Sequence, residues 1–340
     1  MSATTMKNLT GKAIMIDDNS IVISTGSCLN DLDYKGKKKN FRGHLLGWKY
    51  AWASNFSLTR RILRAEVTGL YRVGDCCEVV VAKKGLYRRD NSQNNYKMVL
   101  SIPRGSKPLN LCIAPSDKIF FGEYFQNMDK QAVNIYCSSD NAQTWNIVYA
   151  FPEGNINHIH GLFFDKYTNR IWVATGDREN ECIIGYTEDE FKTFVEVFRG
   201  GQEYRTCQLF FYKDFIVFGT DTQYQQNVIK KFDRKTLEIT ELQEVQGSVI
   251  KGGQVGDVAF ISTTVEPSDV NTDKWAHLWL TKDGLHWEER YKAKKDWFPS
   301  IFQFGTFEFP QYCGIEKLER LYFSGRALEG LDGESTFIEL

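Results

Sequence analysis

The sequence predicts an all-β chain folded as a six-bladed β-propeller of four-stranded blades, and three observations carry that expectation. Aromatic residues make up 14% of the 340 residues, with 27 glycines and only 7 prolines, which favours short strands and tight turns over packed helices. Apolar residues at helical spacing nowhere extend beyond about three turns. One phrase recurs, an apolar strand ending in a small residue followed by a polar one: "KIFFGEY", "RIWVATGD", "FIVFGTD", "VAFISTTVE" and "RLYFSGRA".

These phrases end at Glu123, Asp177, Asp221, Glu266 and Arg326, separated by 54, 44, 45 and 60 residues. Repeats of roughly 40–50 residues are those of a four-stranded blade that buries its faces against its neighbours. A weaker sixth unit, "AEVTGLYRVGDCCEVVVAKKGLYRRDNSQNNYKMVLSIP", precedes them. At the end, "ESTFIEL" is too short to complete a blade, while "KAIMIDDNSIVIS" near the start offers spare strand. Pairing the two termini in one blade closes the ring and removes its exposed edges. The chain is then a single domain over residues 1–340 with an insertion at 27–60. The alternative is a seventh blade built partly from that insertion.

The formal net charge of −1 gives no electrostatic reason to expect a nucleic-acid partner. Between Asp31 and Arg64, nine Lys or Arg stand against two Asp, either a solvated loop or a basic rim for an anionic ligand. The first residues lack a signal-peptide pattern, and no segment has the roughly 18 apolar residues of a membrane span. A soluble protein made in the cytoplasm is expected; nothing in the chain fixes its oligomeric state. The eight cysteines lie mostly in apolar runs such as "LNLCIA" and "YRTCQLFF", without a CxxC pair, the pattern of reduced buried thiols. Cys76 and Cys77 are adjacent on a strand, so at most one faces the core.

A second phrase marks the turn between third and fourth strands. Ser138-x-Asp140-x-Ala142-x-Thr144-Trp145 is matched by Thr187-x-Asp189-x-Phe191-x-Thr193-Phe194 and by "TKDGLHW", which contains Asp283, His286 and Trp287. These strings resemble the Asp-box (BNR repeat) of sialidase-like, glycan-active propellers, over short motifs between residues 109 and 291. Asp140, Asp189 and Asp283 are expected to accept hydrogen bonds from the turn while Trp145 and Trp287 pack on the blade. The resemblance implies that the boxes lie on the face away from the active site. Classical sialidases carry an Arg-Ile-Pro motif, an arginine triad and a Tyr/Glu pair. Here only "SIPRG", Arg205 and Arg326 come near, with Tyr124 and Tyr204 as tyrosine candidates, so a classical sialidase is not expected.

In a propeller, the loop before each first strand and the loop after each second strand open at one mouth. That rule brings His158 and His160 together with Glu123, Asp177, Asp221 and Glu266, and adds Gln202, Arg205 and Arg326. Crowded acids raise one another's pKa, so that one donates a proton while its neighbour stays ionised, as glycoside hydrolysis requires. Arginines hold carboxylates bidentately. The expectation is a glycoside hydrolase-like enzyme acting on an acidic carbohydrate. Asp221, Glu266 and Glu123 are its acid, base or nucleophile candidates, and His158 and His160 its bases. Gln202, Arg205, Arg326 and Asp177 would bind substrate. One alternative is a polysaccharide lyase, with a divalent metal as cofactor held by His158, His160, Gln202 and Glu123. The other is a propeller that binds carbohydrate or protein without catalysis. His44 and His277 are expected in surface or core roles.

Overall fold

The computed structural model describes residues 9–45, 48–93 and 95–340, with only the backbone described at 48–50. The chain forms seven sheets arranged as propeller blades, antiparallel except that Gln311–Tyr312 joins the inner strand of blade 1 in parallel. Blade 1 is built from Lys12–Asp17, Ser20–Thr25, Cys28–Leu32 and Lys38–His44. Blade 2 follows with Gly69–Val73, Cys77–Ala82, Gly85–Asp90 and Lys97–Ser101, and blade 3 with Cys112–Ile113, Ile119–Gly122, Val133–Ser138 and Asn146–Phe151. Blade 4 contains His158–Asp165, Arg170–Gly176, Cys182–Thr187 and Val195–Gly200; blade 5, Thr206–Phe211, Phe215–Thr220, Asn227–Asp233 and Ile239–Val245. Blade 6 contains Ser248–Val255, Val258–Thr264, Trp275–Thr281 and Glu288–Lys294. Blade 7 runs Thr306–Glu308, Arg320–Arg326 and Glu334–Glu339, and takes its outermost strand, Leu9–Thr10, from the other end of the chain.

The blade count is therefore seven, not six, and the reason lies in residues 27–60. They are only partly an insertion: Cys28–Leu32 and Lys38–His44 are the third and fourth strands of blade 1, and the helices Trp48–Ser54 and Ser57–Leu63 follow. The outer strand KKNFRGH is exposed along most of its length. An outermost strand faces water on its free edge and needs little apolar content, so it reads as a charged loop. The termini do meet in one blade, where Leu9 pairs with Ser335 and Thr10 with Glu334. Only this two-residue strand joins the closing blade; Lys12–Asp17 opens blade 1 instead.

Seven apolar clusters fill the seven gaps between adjacent blades. Phe120 of blade 3 meets Ile159 and Leu162 of blade 4, and Phe210 of blade 5 meets Val249 and Ile261 of blade 6. Each fully buried Phe or Ile side chain contributes about 1.5–3 kcal/mol. The small residue in the recurring phrase serves this packing. A Cβ on Gly122 would lie 2.4 Å from Ile159 of the next blade, and one on Gly219 would lie 2.7 Å from Val249.

The boxed turns are stapled by their aspartates. Asp140 Oδ1 accepts from the backbone N–H of Gln143 (3.0 Å) and Thr144 (2.9 Å) and from the Ser138 hydroxyl (2.9 Å). Asp189 accepts from Thr193 N–H (2.9 Å), and Asp283 from Leu285 and His286 N–H (2.8 and 2.9 Å). Trp145 packs edge-on against Phe121, and Trp287 is buried beside Phe210. All eight cysteines are free; Cys77 is buried and Cys76 exposed. No described helix is long and apolar enough to cross a membrane.

Candidate functional site

Blades 4, 5 and 6 deliver their polar strand ends to one place. His158 opens the first strand of blade 4, and Asp177 follows its second strand, whose Gly176 pairs with His158. The register of that hairpin slips between Ile159 and Gly161, so His160 sits at a bulge. Bulges re-aim a side chain without ending the strand. The His160 ring lies over Gly176, where an added Cβ would come within 2.5 Å of Cε1.

Both imidazoles are anchored the same way. His158 Nδ1 lies 3.0 Å from the Phe125 carbonyl oxygen, and His160 Nδ1 lies 3.0 Å from that of Thr206. A carbonyl only accepts, so each Nδ1 donates and each ring turns its Nε2 to the cluster. The two Nε2 atoms face each other at 3.1 Å. Asp177 closes the triangle, with Oδ1 at 3.1 Å from His160 Nε2 and Oδ2 at 3.2 Å from His158 Nε2. Burial pushes the Asp177 carboxyl up, but His158 and His160 outweigh it and hold the group well below the usual carboxylate range.

Arg205 links this triangle to blade 5. Its Nη2 is 3.0 Å from Asp177 Oδ1 and its Nε is 3.6 Å from Asp221 Oδ2. Gln202, in the 3-10 turn Gln202–Tyr204, donates to the Asp177 carbonyl oxygen at 2.7 Å and offers Oε1 to Arg205 at 3.4 Å. Cys207, in the bulge of the blade 5 inner strand, donates its thiol proton to Asp221 Oδ2 at 3.3 Å, and burial pushes that thiol far up. Asp221 Oδ1 is buried without a hydrogen-bond partner.

Glu266, after the second strand of blade 6, accepts from Gln223 Nε2 at 2.5 Å. Burial, and secondly the Asp221 charge, push its carboxyl up to about 7. The Tyr124 ring stands 4.3 Å from that of His158, and burial pushes its hydroxyl well above the usual phenol range.

Two connected cavities open on this cluster. One, of about 860 Å³, is lined by Tyr124, Phe125, His158, Asp177, Gln202 and Tyr224. The other, of about 1250 Å³, is lined by Tyr124, Arg205, Asp221 and Glu266 together with Lys107, Lys251 and Arg326. Among the described residues, eight Lys or Arg against three acids line it. Burial, then the Arg326 guanidinium, holds the Lys107 ammonium well below its usual value, and burial lowers Lys251 too. The channel is short of negative charge.

The structure thus gathers His158, His160, Asp177, Gln202, Arg205, Asp221 and Glu266, but not every residue expected there. Glu123 is turned into blade 3: it pairs with Arg104 (Nε to Oε1, 2.9 Å), accepts from Asn134 N–H at 2.8 Å, and lines neither cavity. An acid at a strand end is ordinary turn chemistry, and here an arginine consumes it. Gln202 lines the smaller cavity, its amide nitrogen held by the Asp177 carbonyl oxygen and its oxygen turned to Arg205. Arg326 lines the larger cavity, in contact with Glu308 (2.6 Å) and Glu66 (2.9 Å). Tyr204 stacks on Phe198, away from the cluster. His277 bridges Asp273 and Glu289 inside blade 6, and His286 is an exposed turn residue. His44 is exposed beside Phe41. Cys207, Lys107 and Lys251 were not expected at the mouth; two of them sit at or beside inner-strand bulges, which leave no mark in the hydrophobic pattern.

No family model matches the chain, and no curated protein matches it. Solved structures do. A chain of the mitotic checkpoint complex is 8% identical with a TM-score of 0.60, covering 100% of this chain and 94% of that one. The WD40 β-propeller domain of Doa1 is 8% identical with a TM-score of 0.57, covering 98% and 94%. The GH74 enzyme of Niastella koreensis is 12% identical with a TM-score of 0.53, covering 84% of this chain and 47% of that one. At such identities the likeness extends to the propeller fold alone.

Proposed function

We propose that the mouth over blades 4 to 6 is the active site of an enzyme that hydrolyses an acidic carbohydrate. The observation that carries this reading is the Asp221 and Glu266 pair, in which Glu266 is pushed up to about 7 while Asp221 faces the Arg205 guanidinium. A carboxyl that keeps its proton up to neutrality beside a second carboxyl is the working arrangement of glycoside hydrolysis. Glu266 donates its proton to the leaving glycosidic oxygen. Asp221, with a buried and unpartnered Oδ1, supplies the second carboxylate as nucleophile or base, and water is added across the cleaved bond. The surplus of Lys and Arg in the larger cavity supports an anionic sugar, because each carboxylate brought in relieves like-charge crowding around Lys107 and Lys251. Exposed Tyr224 and half-buried Phe125 offer ring faces on which sugars stack. The boxed turns, and their place between third and fourth strands, support reading the chain as an Asp-box propeller.

A lyase is the second reading, favoured by the contact of Tyr124 with His158 beside the cluster, where a phenol and an imidazole could remove the proton next to a uronate carboxylate. The test is a panel of uronate-containing, sialylated and neutral oligosaccharides, with products weighed by mass spectrometry. Wild type should yield products heavier by water from acidic members only, lost in Asp221→Asn and Glu266→Gln. Unsaturated products would instead favour the lyase. Retention of an acidic glycan without cleavage would leave a binding propeller.

A further inference from the structure

The geometry points to a divalent transition-metal site formed by His158 Nε2, His160 Nε2 and Asp177. The two Nε2 atoms stand 3.1 Å apart, and Asp177 meets each with a different oxygen, Oδ1 at 3.1 Å from His160 and Oδ2 at 3.2 Å from His158. Ligands about 2.0–2.1 Å from one centre, at angles between octahedral and tetrahedral, stand about 2.8–3.4 Å from one another. Each of the three contacts therefore already has the length of an edge of a coordination shell, and one ligand atom from each residue lies within 4.8 Å of the others. The orientation of the rings agrees. With both Nδ1 atoms turned to the carbonyls of Phe125 and Thr206, both Nε2 atoms face each other and Asp177. One metal ion satisfies all three donors.

The outer contacts are those that metal ligands require. Backbone carbonyls fix both ring tautomers, and Asn157 Nδ2 donates to Asp177 Oδ2 at 3.1 Å. Three protein donors leave coordination positions free, and Asp177 and His158 line the 860 Å³ cavity into which those positions open. That is the arrangement of a reactive site rather than a structural one. Two imidazoles select zinc, manganese or iron over magnesium. The neighbouring set of His160, Cys207 and Asp221 is the weaker candidate, because its thiol is held protonated and donates to Asp221.

The test is calorimetric titration of chelator-treated protein with Zn²⁺ and Mn²⁺ in turn, and with Mg²⁺ as control. One equivalent of Zn²⁺ or Mn²⁺ per chain is expected, with binding at least tenfold weaker in His158→Gln and in Asp177→Asn, and Mg²⁺ silent. Glu266→Gln, which loses turnover under the reading above, keeps the metal, so failure of the reaction and failure of the site are told apart. Wild type without saturable uptake, or uptake unchanged in both ligand variants, overturns the proposal. Should those variants misfold, X-ray absorption of loaded wild type decides: two imidazole nitrogens support the site, and a thiolate or all-oxygen shell overturns it.

Discussion

At the residue scale, Glu266 is the group on which most depends. Its folded value of about 7 lies above the ordinary 4.5, so the folded chain binds this proton more tightly than the unfolded chain. The stability that comes with the proton is complete below about pH 4.5 and is lost as pH rises through about 7. Glu266→Gln should therefore leave thermal stability nearly unchanged at pH 4.5 and raise it by roughly 1–3 kcal/mol at pH 8. Melting curves at the two pH values check this. Any cleavage that uses Glu266 as acid should fall off above about pH 7, and that limb should vanish with the residue. Asp140 shows the opposite sign. Desolvation raises it, but hydrogen bonds from Thr144, Ser138 and Gln143 pull it down to about 2. Asp140→Ala removes the turn's acceptor and should cost about 1–2 kcal/mol in denaturant unfolding, while the mouth, on the other face, keeps its ligand chemistry.

At the element scale, the hairpin of blade 4 decides whether the histidines converge. Gly176 leaves room for the His160 ring, and a methyl group there would come within 2.5 Å of it. Gly176→Ala should thus keep the far-ultraviolet circular dichroism of the propeller but weaken Zn²⁺ uptake at least tenfold, as titration would reveal. Part of this was legible in the sequence. The alternation in "HIH" puts both imidazoles on one side of a strand, and the strand-end rule brings Asp177, Asp221 and Glu266 to the same mouth. The bulges that turn His160 and Cys207 inward depend on inter-strand register, which one strand's residues do not encode by themselves. For the same reason Glu123 read like its counterparts: the Arg104 that neutralises it comes from the loop before blade 3, outside the repeat phrase.

At the scale of the whole molecule, ring closure rests on a two-residue strand. Leu9 and Thr10 pair with the last strand, and the Ser335 hydroxyl accepts from Ala13 N–H and donates to the Gly11 carbonyl oxygen, both at 2.7 Å. Leu9 is buried in the layer between blades 7 and 1. Deleting residues 1–11 should lower the melting temperature by several degrees, in line with about 2–4 kcal/mol for a lost buried Leu and its ladder hydrogen bonds. Blades with a repeat phrase were legible because their second strands are apolar on both faces; blade 1 was not, because its outer strand is charged and its inner strands read as spare sequence for the closing blade. The seventh sheet widens the ring, and with it the cavity lined by Lys107, Lys251, Arg326, Arg205, Asp221 and Glu266.

The most direct measurement is mass spectrometry of acidic oligosaccharides incubated with the protein in ¹⁸O-labelled water. Hydrolysis by the Asp221 and Glu266 pair predicts fragments that carry one ¹⁸O at the new reducing end, and their absence with Glu266→Gln. Oligosaccharides left intact, or fragments formed equally well by Glu266→Gln, would contradict it.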